Sequence, residues 1–151
     1  MQTFEWKPEF DTGIETVDQQ HHQLVNLVNR LGTVVFNGRN FESAVVPILT
    51  ELAEYAANHF SDEESLMEDC RVDRRHIVHH QLQHSQFIDE VEKIFDLSNT
   101  PQDPIETVGN FLSSWLVNHI LEEDQSMARQ IIMIKNGATP SAAYEKQGPS
   151  K

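Results

Sequence analysis

The sequence predicts an all-α fold: an antiparallel up-down-up-down four-helix bundle with an N-terminal arm and a short C-terminal tail. Four long segments repeat apolar residues every three or four positions, the period of a helix with one buried face. Clusters of Gly, Pro, Asn and Asp separate those segments at short intervals, and no alternating apolar pattern competes for a strand. Helices joined by short loops pack as antiparallel neighbours, which sets the topology.

The arm, residues 1–16, carries Phe4, Trp6 and Phe10 and is expected to lie across the bundle. The first helix, about 17–37, places Val17, Leu24, Val28, Leu31 and Val35 on one stripe with His21, and Gly38-Arg39-Asn40 ends it. The second, about 41–68, aligns Val45, Ile48, Leu52, Tyr55, His59, Glu63 and Leu66 before a break at Asp69 to Asp73. The third, about 73–95, aligns Ile77, His80, His84, Phe87, Val91 and Ile94. Two prolines between Ser98 and Pro104 interrupt the pattern, and Pro104 suits the first turn of the fourth helix, where its missing N–H costs nothing. That helix, about 104–135, carries Val108, Phe111, Leu112, Trp115, His119 and Ile131. Asn136-Gly137 closes the domain at 1–135, and 136–151 reads as a polar tail or linker.

At 151 residues the chain is expected to form one domain. With 24 acidic against 11 basic side chains its formal charge is −13, which repels phosphate backbones and anionic lipid. Neither nucleic acid nor a membrane is expected as a partner. The longest uncharged stretch of the second half, Thr107 to Leu121, is too short to span a bilayer and contains Asn, Ser and His. A single cysteine, Cys70, excludes an internal disulfide and suits a reducing cytoplasm, and the N-terminus has no secretory signal pattern.

The eight histidines carry the chemistry. In antiparallel helices, residues at equal depth mirror one another about the loop between them. His21 and His59 are centred on residue 40, in the first loop. The pairs His59/Glu63 and His80/His84 are centred on the second loop, and His80/His84 and the region 119–124 on the third. All four helices therefore deliver metal-binding side chains to one layer of an apolar core. Spacing of four puts both members of each pair on one helix face. His76/His80 shares that spacing but centres about a turn away, so His76 is read as an inter-helix or surface bystander. His22 and His79 adjoin ligands and point elsewhere, to solvent.

Burying five imidazoles and two carboxylates without partners costs several kcal/mol each, on the order of a lost hydrogen bond or more. A metal centre removes that cost. Seven donors are too many for one tetrahedral zinc and suit two higher-coordinate ions with bridging carboxylates. Imidazole and carboxylate without thiolate point to iron or manganese.

These residues resemble the hemerythrins, specifically bacterial hemerythrin-like domains. Val17-Asp18-Gln19-Gln20-His21-His22-Gln23-Leu24 is similar to the family's first-helix motif, with His21 rather than His22 as ligand. His59-Phe60-Ser61-Asp62-Glu63-Glu64 resembles its His-Phe-x-x-Glu-Glu motif, and His80-Gln81-Leu82-Gln83-His84 its His-x-x-x-His element. Trp115 to Asp124 resembles the last motif, and the likeness spans about residues 4–135. The resemblance implies seven metal ligands: His21, His59, Glu63, His80, His84, His119 and Asp124, with Glu63 and Asp124 bridging. A regular helix would favour Glu123, four residues after His119, whereas the family pattern selects Asp124. A one-residue bulge between 119 and 124 reconciles the two, and puts Asp124 in phase with Met127, Ala128, Ile131 and Ile134.

By the same resemblance, two iron ions share a bridging oxo or hydroxo group. His80, His84 and His119 saturate one, while His21 and His59 hold the other and leave a position open for dioxygen. Leu24, Trp115 and Ile120 are the expected walls of an apolar pocket there. Residues 127–145 resemble the junction between a hemerythrin-like domain and a diguanylate cyclase, so the expected role is an oxygen- or redox-sensing module, not an enzyme, acting on an output domain absent from this chain. The alternatives are a stand-alone oxygen carrier or store, and a di-iron oxidase, peroxidase or NO-handling enzyme. Oxygen-activating bundles use more carboxylate and less histidine, which favours binding. An iron-storage or zinc-filled structural protein is the remaining reading.

Overall fold

The computed structural model describes residues 4–36, 41–97, 111–112 and 114–147. The described residues are helical with no strand. Helix α1 spans Glu15–Phe36, α2 spans Val46–Asp69 behind a π-helical lead-in at Phe41–Val45, and α3 spans Arg74–Leu97. Helix α4 includes 114–118, a π-helical turn at His119–Asp124, and Gln125–Lys135. A short α5, Pro140–Gln147, follows. The expected breaks at 38–40 and 98–104, Pro104 and Val108 lie outside the described residues, as do the side chains of Val35 and Ile94. Among the described residues no helix is long and apolar enough to cross a membrane.

Residue pairings fix the helix directions. Arg30 and Gln20 on α1 meet Glu51 and Asp62 on α2. Phe60 and Glu68 on α2 meet Phe87 and Arg74 on α3. Phe87, Gln83 and His76 on α3 meet Trp115, His119 and Gln130 on α4. Each helix runs against the one before it.

Local chemistry explains where the helices begin and end. The Asp18 carboxylate accepts from the Thr12 amide and hydroxyl at 2.8 and 2.7 Å, tying the arm to the first turn of α1. Gly13 between them has φ +85°, a conformation that L side chains rarely adopt. Asp73 caps α3, its Oδ1 accepting from the Arg75 amide at 2.9 Å. Helix α2 closes with the amides of Arg71 and Val72 bonded back to Glu68 and Met67, and α4 closes the same way at Gly137 and Ala138. In the first case the left-handed position is Arg71, at φ 60°.

The arm packs as expected from its aromatics. Phe4 and Trp6 each lie 5.4 Å from Phe10 between ring centroids, and Gln125 of α4 donates to the Glu9, Phe10 and Asp11 carbonyls.

The tail departs from the expectation of a polar linker. Residues 140–147 form α5, with Ala143 fully buried, because Thr139 caps it through the Ala142 amide and Pro140 starts it. Arg75 holds it from α3 through Glu145 at 2.9 Å and lies 4.2 Å over the Tyr144 ring. Arg129 holds it from α4 through Gln147.

Among the described residues the core forms two apolar clusters. A large one includes Leu24, Leu31, Leu52, Phe60, Phe87 and Leu116. A smaller one includes Val17, Met67, Ile77, Met127 and Ile131. On each of the four helices the polar layer falls where one cluster gives way to the other.

Candidate metal centre

The layer between the clusters is built from buried polar side chains. His21, His80 and Asp124 are fully buried, and His59, Glu63, His84 and His119 are at most 3% exposed. Helix α1 supplies His21, α2 supplies His59 and Glu63 one turn apart, and α3 supplies His80 and His84 one turn apart. Helix α4 supplies His119 and Asp124, which are five residues apart. The π turn at His119–Asp124 accommodates that spacing: its extra residue brings Asp124 inward together with His119.

Asp124 lies 2.7 Å from Nε2 of His21, 2.9 Å from that of His119 and 3.0 Å from that of His80. Glu63 lies 3.2 Å from Nε2 of His59 and 3.3 Å from that of His84. Each carboxylate therefore contacts histidines of more than one helix. Donor atoms bonded to one ion at about 2.1 Å and at right angles stand about 3 Å apart, so these spacings fit the edges of coordination polyhedra.

The donor atoms form two overlapping sets. Glu63, His80, His84, His119 and Asp124 make one, and His21, His59, Glu63 and Asp124 the other, with all atoms in each set within 4.8 Å of one another. Glu63 and Asp124 belong to both. Nε2 of His21, His59 and His80 and all four oxygens of Glu63 and Asp124 are buried without a hydrogen-bond partner. Nε2 of His84 and of His119 approach each other to 3.2 Å, although two nitrogens that face one another cannot both donate. Atoms so placed are orphaned as hydrogen-bonding groups and well placed as ligands. The residues present therefore fit two metal ions.

The electrostatics fit as well. Burial pushes the Glu63 carboxyl up, but the surrounding imidazoles, His59 foremost, hold it well below its usual range. Burial and Glu63 push Asp124 up, and His119 and His21 pull it well below. Burial works against charge on His80, but Asp124 and Glu63 push it up to about 10. The same carboxylates raise His59 and His119 against their burial. Burial lowers His84 to about 4 and His76 to about 3. Without metal, protons take the place of cations around two ionised carboxylates.

Behind the ligands lies a set of partners that the sequence reading missed. Nδ1 of His59 meets Oε1 of Gln20 at 2.6 Å and Nδ1 of His119 meets Oε1 of Gln83 at 3.2 Å, whereas Nδ1 of His84 has Glu64 nearby at 3.5 Å without a hydrogen bond. Each partner adjoins a ligand in sequence: Gln20 precedes His21, Gln83 precedes His84, and Glu64 follows Glu63. A polar residue beside each ligand was the available signal. Such partners fix ring orientation and raise ligand basicity.

His22 is exposed and stacks on Trp6 at 3.8 Å, and His79 is partly exposed, 3.4 Å from Glu123. Glu123 is buried and belongs to neither of the two overlapping sets, but with His76 and His80 it forms a third, three-membered group whose donor atoms lie within 4.8 Å of one another. His76 does not lie at the surface: it is buried between α3 and α4 behind His80.

Against the layer lies a cavity of about 10 Å³, room for about one molecule the size of water. His21, His59, His119 and Asp124 face it, and the rest of its lining includes Leu24, Val28, Leu52, Ala56, Phe60 and Trp115. Of the three residues named from sequence, Leu24 and Trp115 line this cavity and Ile120 does not. The residue after His119 enters the π turn and packs, fully buried, in the larger cluster, while Leu116 and Leu112 one and two turns earlier complete the wall.

The family model "Hemerythrin HHE cation binding domain" matches residues 12–131. A bacteriohemerythrin of Clostridium acetobutylicum is 32% identical over 127 residues, covering 81% of this chain and 96% of that one. A bacteriohemerythrin of Pseudomonas aeruginosa is 32% identical over 121 residues, covering 79% and 75%. A hemerythrin-like protein of Naegleria gruberi is 29% identical over 125 residues, covering 80% and 87%.

Proposed function

The chain belongs to the hemerythrin family, and from that membership and the geometry above we propose that it binds dioxygen at a centre of two iron ions. The observation that carries this reading is an asymmetry. One donor set has five side chains and the other four, and the small apolar cavity is lined by both histidines of the smaller set, His21 and His59, but by only one of the three in the larger, His119. Glu63, His80, His84, His119 and Asp124 would hold one ion and His21, His59, Glu63 and Asp124 the other, which would have one protein donor fewer and room for an added ligand. Reduced iron supplies the electrons and the open position that a diatomic ligand needs.

The side chains do the rest. Glu63 and Asp124, which belong to both donor sets, would hold the two ions together, and the outer partners of His59 and His119 keep Nε2 of each ring turned inward. Leu24, Val28, Leu52 and Trp115 exclude water, which would otherwise promote loss of a reduced ligand and leave inert oxidised metal. Five imidazoles to two carboxylates donate little negative charge to oxidised iron, which favours binding over turnover. A reducing cytoplasm suits the lone Cys70.

Use as an oxygen or redox sensor, with an output domain such as a diguanylate cyclase, is favoured over simple storage by one set of contacts. Arg75, which clasps α5, lies next to His76 and five residues before the ligand His80. A ligand-dependent shift of α3 would reach α5 directly.

The test is the visible spectrum of iron-loaded protein, reduced without air and then aerated. A colourless reduced form that gains a charge-transfer band in air and loses it on deoxygenation is the expected result. Two bound irons with no change of colour would contradict the reading.

A further inference from the structure

A buried histidine outside the two donor sets stands directly behind one inside them. His76 is 1% exposed, and its Nε2 lies 2.9 Å from Nδ1 of His80, one turn along α3. Its own Nδ1 lies 3.1 Å from the side-chain amide of Gln130, which is fully buried on α4. Ile77 and Met127, neighbours of this pair in sequence, are apolar and fully packed. A buried imidazole and a buried amide in such company cost free energy unless each is partnered.

The donor and acceptor roles follow from what His80 must do. A neutral imidazole gives a lone pair to metal through one nitrogen and carries its hydrogen on the other. Nε2 of His80 faces Asp124 and Glu63, so the hydrogen belongs on Nδ1, where it donates to Nε2 of His76. His76 then carries its hydrogen on Nδ1 and donates to the side-chain oxygen of Gln130. A half turn of that amide exchanges its oxygen and nitrogen. The half turn places Oε1, otherwise without a partner, where it accepts from His76 Nδ1–H and the Ser126 hydroxyl, and turns the NH2 to the side that Oε1 leaves.

We propose that His76, backed by Gln130, is the positioning residue of His80, holding that ring in the tautomer and orientation that turn Nε2 to the metal. This rests on the metal-centre reading above. The other outer partners, Gln20 and Gln83, present side-chain oxygens; His80 is backed by a second imidazole anchored on the next helix.

The experiment uses the full chain with zinc as a diamagnetic probe. Zinc affinity is measured against a competing chelator, and ring hydrogens are located by nitrogen-edited NMR. His76→Leu is expected to keep the wild-type helical circular dichroism and to lose roughly 10- to 100-fold in affinity, as for other outer partners of metal ligands. His76→Gln, which keeps an acceptor for the His80 hydrogen, is expected to recover most of that loss. In the loaded wild type the His80 hydrogen is expected on Nδ1. A folded His76→Leu variant with wild-type affinity, a His80 hydrogen on Nε2, or a third zinc held by His76 would overturn the proposal. Should His76→Leu fail to fold, Gln130→Met decides: weaker zinc binding is expected, and unchanged affinity overturns it. Wild type that holds no zinc contradicts the metal-centre reading itself. Wild type that holds two, as tightly as His76→Leu, contradicts the role of His76 alone.

Discussion

Oε1 of Gln20, on α1, lies 2.6 Å from Nδ1 of His59, on α2. The residue beside one ligand thus fixes a ligand on the neighbouring helix, and both ligands belong to the smaller donor set. Gln20→Leu is expected to weaken that ion selectively. Elemental analysis after dialysis against a mild chelator should show metal falling from two ions per chain toward one, whereas equal loss of both would contradict the assignment. An effect of roughly 10- to 100-fold on the weaker ion is typical of such partners.

Metal loading should be pH-dependent, with a definite sign. Burial opposes charge on His80, yet Asp124 and Glu63 raise it to about 10, and His59 and His119 are also raised. The metal-free site therefore carries protons at neutral pH that a cation must displace. Affinity rises with pH through the neutral range and falls in acid. Chelator competition at pH 6, 7 and 8 checks this; a flat profile would contradict it.

Filling the cavity should separate ligand binding from metal binding. Ala56 is 1% exposed and lines the cavity beside His59. Ala56→Leu is expected to keep two irons and to lose the air-dependent band. Overpacking costs about 1–3 kcal/mol, so the fold should survive at reduced stability.

Arg71 occupies a left-handed position at φ 60°, where glycine closes helices without strain. Arg71→Gly is expected to stabilise the protein by about 1 kcal/mol, raising the melting temperature by roughly 2–4 °C for a chain of this size. A lower melting temperature would mean that the Arg71 side chain contributes more than its backbone costs.

Docking of α5 depends on Ala143, which is fully buried. Ala143→Glu is expected to release residues 140–147, seen as fast amide exchange there, while the iron spectrum is retained. Loss of the metal centre together with α5 would show that the bundle needs this helix to fold.

Much of this was legible in the sequence because depth in an antiparallel bundle is arithmetic. His21, His59, His80 and His84 mirror one another about the loops, and side-chain period four gave their faces. Asp124 was legible only through the family resemblance, since a regular turn from His119 leads to Glu123; the π turn at His119–Asp124 supplies the missing residue. The same turn explains why Ile120 joined the packed cluster instead of the cavity wall. Helix α5 was hidden by its polar composition, although Thr139-Pro140 is a helix-start signal and Ala143 small enough to dock. The outer partners were legible only in part: Gln20 and Gln83 are polar neighbours of ligands but meet rings on other helices, and His76 shares the spacing of four with His80, although its depth had set it aside as a bystander.

The central claim is that seven side chains hold two ions unequally, with the open position at the cavity. Anomalous diffraction from crystals of the iron-loaded protein soaked with azide tests it most directly. The account predicts two iron peaks, one among Glu63, His80, His84, His119 and Asp124 and one among His21, His59, Glu63 and Asp124, with azide on the second alone. A single iron, or azide on the first, would contradict it.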